Sequence, residues 1–84
     1  MENSLETLKF HILNNIKNEK EYMIKRVTTN ENEKRRLYDI GIINGAKIKL
    51  LYNSPSKKMK AYLVKDAIIA IRNSDASMIE VYDD

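Results

Sequence analysis

The stretch RLYDIGIINGAKIKLLY, residues 36–52, contains the end of a helix, a tight turn and a strand in succession. Leu37 and Ile40 are three residues apart and therefore share one helical face. Gly41 follows at the point where helices commonly end in a left-handed conformation, which glycine adopts without a steric penalty. The Asn44–Gly45 pair is typical of a tight turn. This order predicts a short helix that returns the chain into a sheet.

A half-buried strand follows the turn, because apolar residues alternate with lysines from residue 46 to residue 52. Upstream, Asn30 and Glu33 form a capping pair at the start of the short helix. A helix of about ten residues is unstable on its own, so we expect it to pack against a sheet. Four further strands are predicted over residues 21–27, 59–64, 67–72 and 79–82.

The N-terminal segment carries a helical pattern. Ser4 is suited to an N-cap, and the apolar residues up to Lys17 recur at helical spacing. We therefore expect an N-terminal helix whose apolar stripe consists of Leu5, Leu8, Ile12, Leu13 and Ile16.

Lys65–Asp66 is predicted to be the two-residue turn of a hairpin, with Tyr62 opposite Ile69. Both faces of this hairpin are apolar. One face carries Tyr62, Val64, Ala67, Ile69 and Ile71, and the other carries Ala61, Leu63, Ile68 and Ala70. The second face needs a cover. We favour the N-terminal helix as that cover, with a second copy of the chain or a partner protein as alternatives.

The chain has 84 residues, which is enough for one small domain and too few for an enzyme core with a deep cleft. It has no cysteine, so it has no disulfide framework and no thiolate metal site. The formal net charge is +3, but the span from Lys25 to Arg72 holds twelve basic and four acidic residues, a local charge of +8. The sequence predicts neither a signal peptide nor a membrane span, and we expect a cytoplasmic domain.

Residues for catalysis are lacking. His11 is the only histidine, and we do not expect it to bind a metal. The two glycines do not form a phosphate-binding loop, and no nucleophile motif is present. We therefore predict that the chain is not an enzyme and has no metal site and no cofactor.

Two interpretations of the charged residues stay open. Tyrosines interleaved with bases are able to stack single-stranded nucleic acid, so a small basic barrel that binds RNA or DNA is the alternative function. The cluster Lys34–Arg35–Arg36 suits phosphate or acidic side chains, but it is also typical of a solvated helix face.

The stretch Arg36 to Gly45 resembles the FeoA family, small cytoplasmic accessories of the bacterial ferrous iron transporter. The family's pattern reads Arg-Leu, one residue, an acid, a large aliphatic, Gly, an aliphatic, two residues and Gly, and every position matches. The resemblance extends over about residues 13–82. It implies a domain over residues 13–84, preceded by an extension over residues 1–12 that begins the expected helix. Its structural motif residues are Arg36, Leu37, Asp39, Gly41 and Gly45.

The resemblance implies a mainly β fold, a small SH3-like, partly open barrel of about five strands with a short helix after the first. It implies a non-catalytic function in which the chain binds the cytoplasmic GTPase region of the ferrous iron transporter. The iron and nucleotide sites would then lie on the transporter. A third hypothesis makes Arg35 or Arg36 stimulate that partner's GTP hydrolysis, by analogy with arginine fingers. We assign partner binding to Arg35, Arg36, Tyr52, Pro55, Lys57 and Lys58.

Overall fold

The computed structural model describes residues 10–83, which form six strands, two α-helices and one 3-10 turn. The strands are β1 (Phe10–Ile12), β2 (Glu21–Val27), β3 (Lys47–Asn53), β4 (Met59–Val64), β5 (Ala67–Arg72) and β6 (Ile79–Asp83). The helices are α1 (Glu31–Asp39) and α2 (Asn73–Ala76), and the 3-10 turn spans Leu13–Asn15. Among these residues no helix is both long enough and apolar enough to span a bilayer.

The strands form one antiparallel sheet in the order β1-β6-β2-β3-β4-β5. The register shifts between Ile24 and Arg26 in β2, and again between Leu50 and Tyr52 in β3. Such irregularities bend a strand and increase its twist. The Lys60 ammonium of β4 donates to the carbonyl of Asn14 at 2.8 Å, which links β4 to the 3-10 turn that follows β1. The sheet therefore curves around a single core.

Apolar and polar side chains alternate along the strands, and the apolar ones form the core. In β3, Ile48 and Leu50 are buried and Lys47 is exposed, as the sequence pattern predicts. Leu37 of α1 and Ile42 join them in the same buried cluster. The largest fully buried side chains are Tyr62, Leu13, Ile24, Ile42, Ile48, Ile71, Ile79 and Val81. The short helix is thus attached by burial of Leu37.

The ends of α1 follow the predicted chemistry. The Asn30 side chain accepts a hydrogen bond from the Glu33 amide at 2.9 Å, so the N-cap prediction is confirmed. Gly41 follows the helix with a φ of +102°, in the left-handed region. A Cβ at this position would lie 3.4 Å from Cγ1 of Val64, so the chain passes close to β4 here.

The predicted hairpin is confirmed. Lys65 and Asp66 both have positive φ, 52° and 67°, as a two-residue turn of this kind requires. Val64 lies opposite Ala67 and Tyr62 opposite Ile69, and the register runs without a shift to the end of β5.

The predicted N-terminal helix is wrong for residues 10–17, and the rest of its span, residues 4–9, lies outside the described residues. Residues 10–12 form β1, whose His11 lies opposite Val81 of β6, and the fold has six strands where about five were expected. Spacing at 3 and 4 residues is ambiguous in a short apolar run. Here pairing with β6 outweighs the local helical pattern.

Candidate protein-binding groove

A groove of about 340 Å³ lies between α1 and β5. Its apolar lining comes from Leu37, Ile40, Met59, Ala70 and Ile71, and its charged lining comes from Glu33, Arg36, Arg72 and Asp75. We call it the α1–β5 groove. Ile40 is 45% exposed and Ala70 is also exposed, so apolar surface is open to solvent here.

The helix is fixed beside β5 at both of its ends. At its first turn, the Glu33 carboxylate lies 3.8 Å from the Arg72 guanidinium at the end of β5. At its other end, Gly41 approaches Val64, which is opposite the first residue of β5. The helix therefore runs antiparallel to β5, and Leu37 between these two points is buried in the core.

Ion pairs within the chain neutralise the charged side of the groove. Arg36 Nη1 lies 2.9 Å from Glu33 Oε1 and 3.0 Å from Oε2. Arg72 Nε lies 3.1 Å from Asp75 Oδ2. These side chains are partly exposed, so each pair contributes about 1 kcal/mol or less to stability. Their effect is to hold the two arginines at the groove with no excess charge.

A second groove of about 520 Å³ lies next to the first one and shares Met59 and Arg72 with it. Lys57 and Lys58 line it, together with Asn73 at the start of α2. Asn73 holds the loop between β3 and β4 in place. Its side-chain amide donates to the carbonyl of Lys57 and its backbone amide donates to the carbonyl of Lys58, both at 2.9 Å.

The structure brings together three of the six side chains assigned to partner binding. Arg36 lines the first groove, and Lys57 and Lys58 line the second. Arg35 is exposed on α1 but lines neither groove, and Pro55 is exposed in the loop between β3 and β4. Tyr52 is 60% exposed on β3, opposite Ala61.

The motif residues of the central stretch have different structural roles. Leu37 and Gly41 fix α1 in place, as described above. The Gly45 amide donates to the carbonyl of Ile24 at 2.8 Å, and its φ of +86° favours glycine. Asp39 is exposed at the end of α1, and Arg36 contacts Glu33.

Two features were not predicted from the sequence, the exposure of Ile40 and the burial of Glu80. Ile40 shares a helical face with Leu37, as predicted, but it lies past the buried turn of the helix, stays exposed and lines the groove. Glu80 is buried in β6, where its Oε1 lies 2.9 Å from Arg26 Nε and 3.5 Å from Lys25 Nζ. The sequence does show Glu80 between two apolar residues, Ile79 and Val81. Its burial follows from the position of β6 between β1 and β2, which the sequence does not show.

His11 lies on β1 beside Tyr22, with ring centroids 5.7 Å apart, and its Nε2 is 3.5 Å from Asp83 Oδ1. A hydrogen bond from Lys20, at 3.0 Å, lowers the pKa of the Asp83 carboxyl. Within residues 10–83 no three side chains of the His, Cys, Asp and Glu types come together as a metal site.

Comparison with known proteins gives a consistent result. The family model described as the FeoA domain matches residues 11–83. The solution structure of a FeoA protein from Chlorobium tepidum has a TM-score of 0.79 and 25% identity, covering 87% of this chain and 70% of that one. A FeoA-like protein from Clostridium acetobutylicum has a TM-score of 0.79 and 21% identity, covering 89% of this chain and 87% of that one.

The same SH3-like β fold also occurs inside larger proteins. A manganese-dependent transcriptional repressor has a TM-score of 0.81 and 16% identity over 90% of this chain, which corresponds to 42% of the repressor. At that identity the likeness concerns the fold alone. No individually curated protein matches the sequence.

Proposed function

The chain belongs to the FeoA family, which is linked to ferrous iron transport, and from this we propose that it is a cytoplasmic, non-catalytic accessory of a ferrous iron transporter. It acts by binding the transporter's cytoplasmic GTPase region. The iron and nucleotide sites lie on that partner, which accounts for the scarcity of catalytic side chains in this chain.

The observation that carries the proposal is the open apolar lining of the α1–β5 groove. Ile40 and Ala70 are exposed at its mouth beside Leu37, Met59 and Ile71, and a contiguous apolar surface of this kind is typical of a protein-binding site. Protein interfaces typically combine an apolar centre with a polar rim, and the paired Arg36 and Arg72 supply such a rim. Lys57 and Lys58 extend the surface on one side.

Nucleic-acid binding is the less favoured function. Its motivation was the basic middle of the chain, but several of these bases are paired with acids: Arg26 with Glu80, Arg36 with Glu33, and Arg72 with Asp75. Two of the five tyrosines, Tyr22 and Tyr62, are buried and are not available for stacking.

The proposal is tested by amide chemical-shift mapping of the labelled protein with the transporter's soluble GTPase domain. A second titration uses a short oligonucleotide at ~150 mM salt, where purely electrostatic binding is weak. We expect shifts in residues of α1 and β5 with the GTPase domain and none with the oligonucleotide. The opposite pattern would contradict the proposal.

A further inference from the structure

The outer edge of β5 has no strand beside it. β5 is the last strand in the sheet order, and among the described residues only β4 pairs with it. The two residues that flank a two-residue hairpin turn form backbone hydrogen bonds with each other. Along the two strands, hydrogen-bonded residue pairs then alternate with pairs that are not hydrogen-bonded. Ala67 and Ile69 therefore bond to β4, whereas the amides and carbonyls of Ile68 and Ala70 point away from it.

This edge lacks the usual protection against strand addition. Natural edge strands are commonly interrupted by a charged residue, a proline or a bulge. The interior of β5 reads AIIAI from Ala67 to Ile71, with an unbroken register against β4. Ile68 is 64% exposed, and charged residues occur only at the ends of the strand.

The helix α1 runs along this edge without covering it. Its contacts at Glu33 and Gly41 align it antiparallel to β5, and Leu37 is buried with Ile71 on the inner face of the sheet. Between helix and strand the groove stays open. A strand edge beside a helix, with an apolar groove between them, suits an extended peptide that bonds to the edge and inserts alternate side chains into the groove.

We propose that β5 accepts an extended segment of the partner protein as a seventh, antiparallel strand, with aliphatic side chains of that segment in the α1–β5 groove. This inference rests on the proposed function and specifies how the partner is recognised. Side chains on residues paired with Ile68 and Ala70 share the outer face of the sheet. The residues between them point to the inner face, the side on which Leu37 and Ile71 line the groove.

The charges at the end of β5 specify the chemistry of the segment. Arg72 is paired with Asp75 and Glu33, but Lys57 and Lys58 have no acidic partner within residues 10–83. An antiparallel segment begins at this end of β5. The segment therefore carries acidic residues first, followed by aliphatic residues at alternate positions, so that its carboxylates face the two lysines across Asn73.

The test uses a blocked synthetic peptide of sequence EETVTIT, and amide hydrogen exchange of the full chain as the readout. In the predicted pairing the threonines bond to β5, and the valine and isoleucine enter the groove. At ten times its Kd, the peptide should slow the exchange of the Ile68 and Ala70 amides about tenfold. No slowing at millimolar peptide would overturn the inference.

Two N-methylated peptides provide the matched control. Methylation of the threonine amides removes the bonds to β5 and should abolish the slowing, whereas methylation of the valine and isoleucine amides should preserve it. Equal binding of both peptides would mean that side chains alone are recognised, which contradicts strand addition. Slowing that increases with protein concentration in the absence of peptide would identify a second copy of the chain as the occupant and overturn the assignment to a partner.

A variant of the protein separates this inference from the proposed function. Ala70→Pro removes an amide that points away from β4, so the hairpin keeps its hydrogen bonds, and Ala70→Ser is the control that retains the amide. Ala70→Pro should abolish binding of the GTPase domain, whereas Ala70→Ser should leave that binding unchanged. If both variants bind the domain as the wild type does, strand addition is wrong and the proposed function stands. If the wild type itself fails to bind, the proposed function is wrong.

Discussion

The guanidinium of Arg72 lies 3.8 Å from the carboxylate of Glu33, and this contact joins the end of β5 to the first turn of α1. The Glu33 carboxylate also accepts a hydrogen bond from Arg36, at 2.9 Å, and the backbone amide of Glu33 donates to the side chain of the N-cap Asn30. One carboxylate therefore organises the charged side of the groove. Because these side chains are partly exposed, we expect this role to concern position more than stability.

Replacing Glu33 tests that distinction. Glu33→Gln should lower the free energy of unfolding by about 1 kcal/mol or less, because exposed ion pairs are screened by solvent. Asn30→Ala should cost about 1 kcal/mol, since it removes the N-cap hydrogen bond itself. Urea denaturation measures both variants. A loss of several kcal/mol for Glu33→Gln would mean that the ion pairs hold the helix in place.

The two glycines form a matched pair. Both have positive φ, +102° at Gly41 and +86° at Gly45, so an alanine at either position costs about 1 kcal/mol through backbone strain. A Cβ at Gly41 would also lie 3.4 Å from Val64 Cγ1, at the close limit of ordinary contact, whereas at Gly45 nothing lies within 4 Å. Gly41→Ala should therefore destabilise the fold more than Gly45→Ala in thermal unfolding. Equal losses would show that Val64 moves aside without cost.

The hydroxyl of Tyr62 is buried and has no hydrogen-bond partner among the described residues. Leaving a polar group in this state costs free energy, so Tyr62→Phe should leave stability unchanged or raise it by about 1 kcal/mol. Urea denaturation at neutral pH is the measurement, and a clear loss of stability in the phenylalanine variant would contradict it.

The same residue predicts a pH dependence. Burial raises the pKa of Tyr62 from 10.0 to about 12, so the folded protein keeps this proton after the unfolded chain has released it. The free energy of unfolding is therefore unaffected by this group below pH 10. It falls as the pH rises from 10 towards 12, by about 3 kcal/mol in all. The phenylalanine variant lacks this loss. Comparing the unfolding of the two proteins across that range isolates Tyr62 from the other titrating groups.

Glu80 is a buried acid whose partners reach solvent. Its Oε1 is 2.9 Å from Arg26 Nε, and the Arg26 side chain is 59% exposed. Glu80→Gln keeps the shape and one acceptor, so it should cost about 1–2 kcal/mol, the value of a hydrogen bond to a charged group. Arg26→Ala should cost more than this, because it leaves the buried carboxylate with only Lys25 at 3.5 Å. The reverse order in urea denaturation would contradict this account.

Local chemistry made α1 and the hairpin predictable. Asn30, Gly41 and the turn at Lys65–Asp66 each act through residues a few positions away, and all three behave as expected. The segment around His11 was mispredicted for the opposite reason. Its strand exists because β6, some 70 residues later, offers a pairing edge, and no local pattern encodes that edge.

The groove was only partly predictable. Leu37 and Ile40 were recognised as one helical face, and Ile68 and Ala70 as an apolar face in need of a cover. That α1 lies beside β5, and leaves the edge of β5 open, depends on contacts such as Glu33 to Arg72 that join distant parts of the chain. The expected cover from an N-terminal helix is not present in residues 10–17.

The most direct test of the proposed function compares two neighbouring residues of the same turn. Ile40 and Tyr38 are similarly exposed, at 45% and 42%, but only Ile40 lines the α1–β5 groove. We would measure the affinity of the transporter's soluble GTPase domain for the wild type, Ile40→Ser and Tyr38→Ser by calorimetry. The account predicts that Ile40→Ser weakens binding about tenfold or more and that Tyr38→Ser leaves it unchanged. Equal affinities for all three proteins would contradict it.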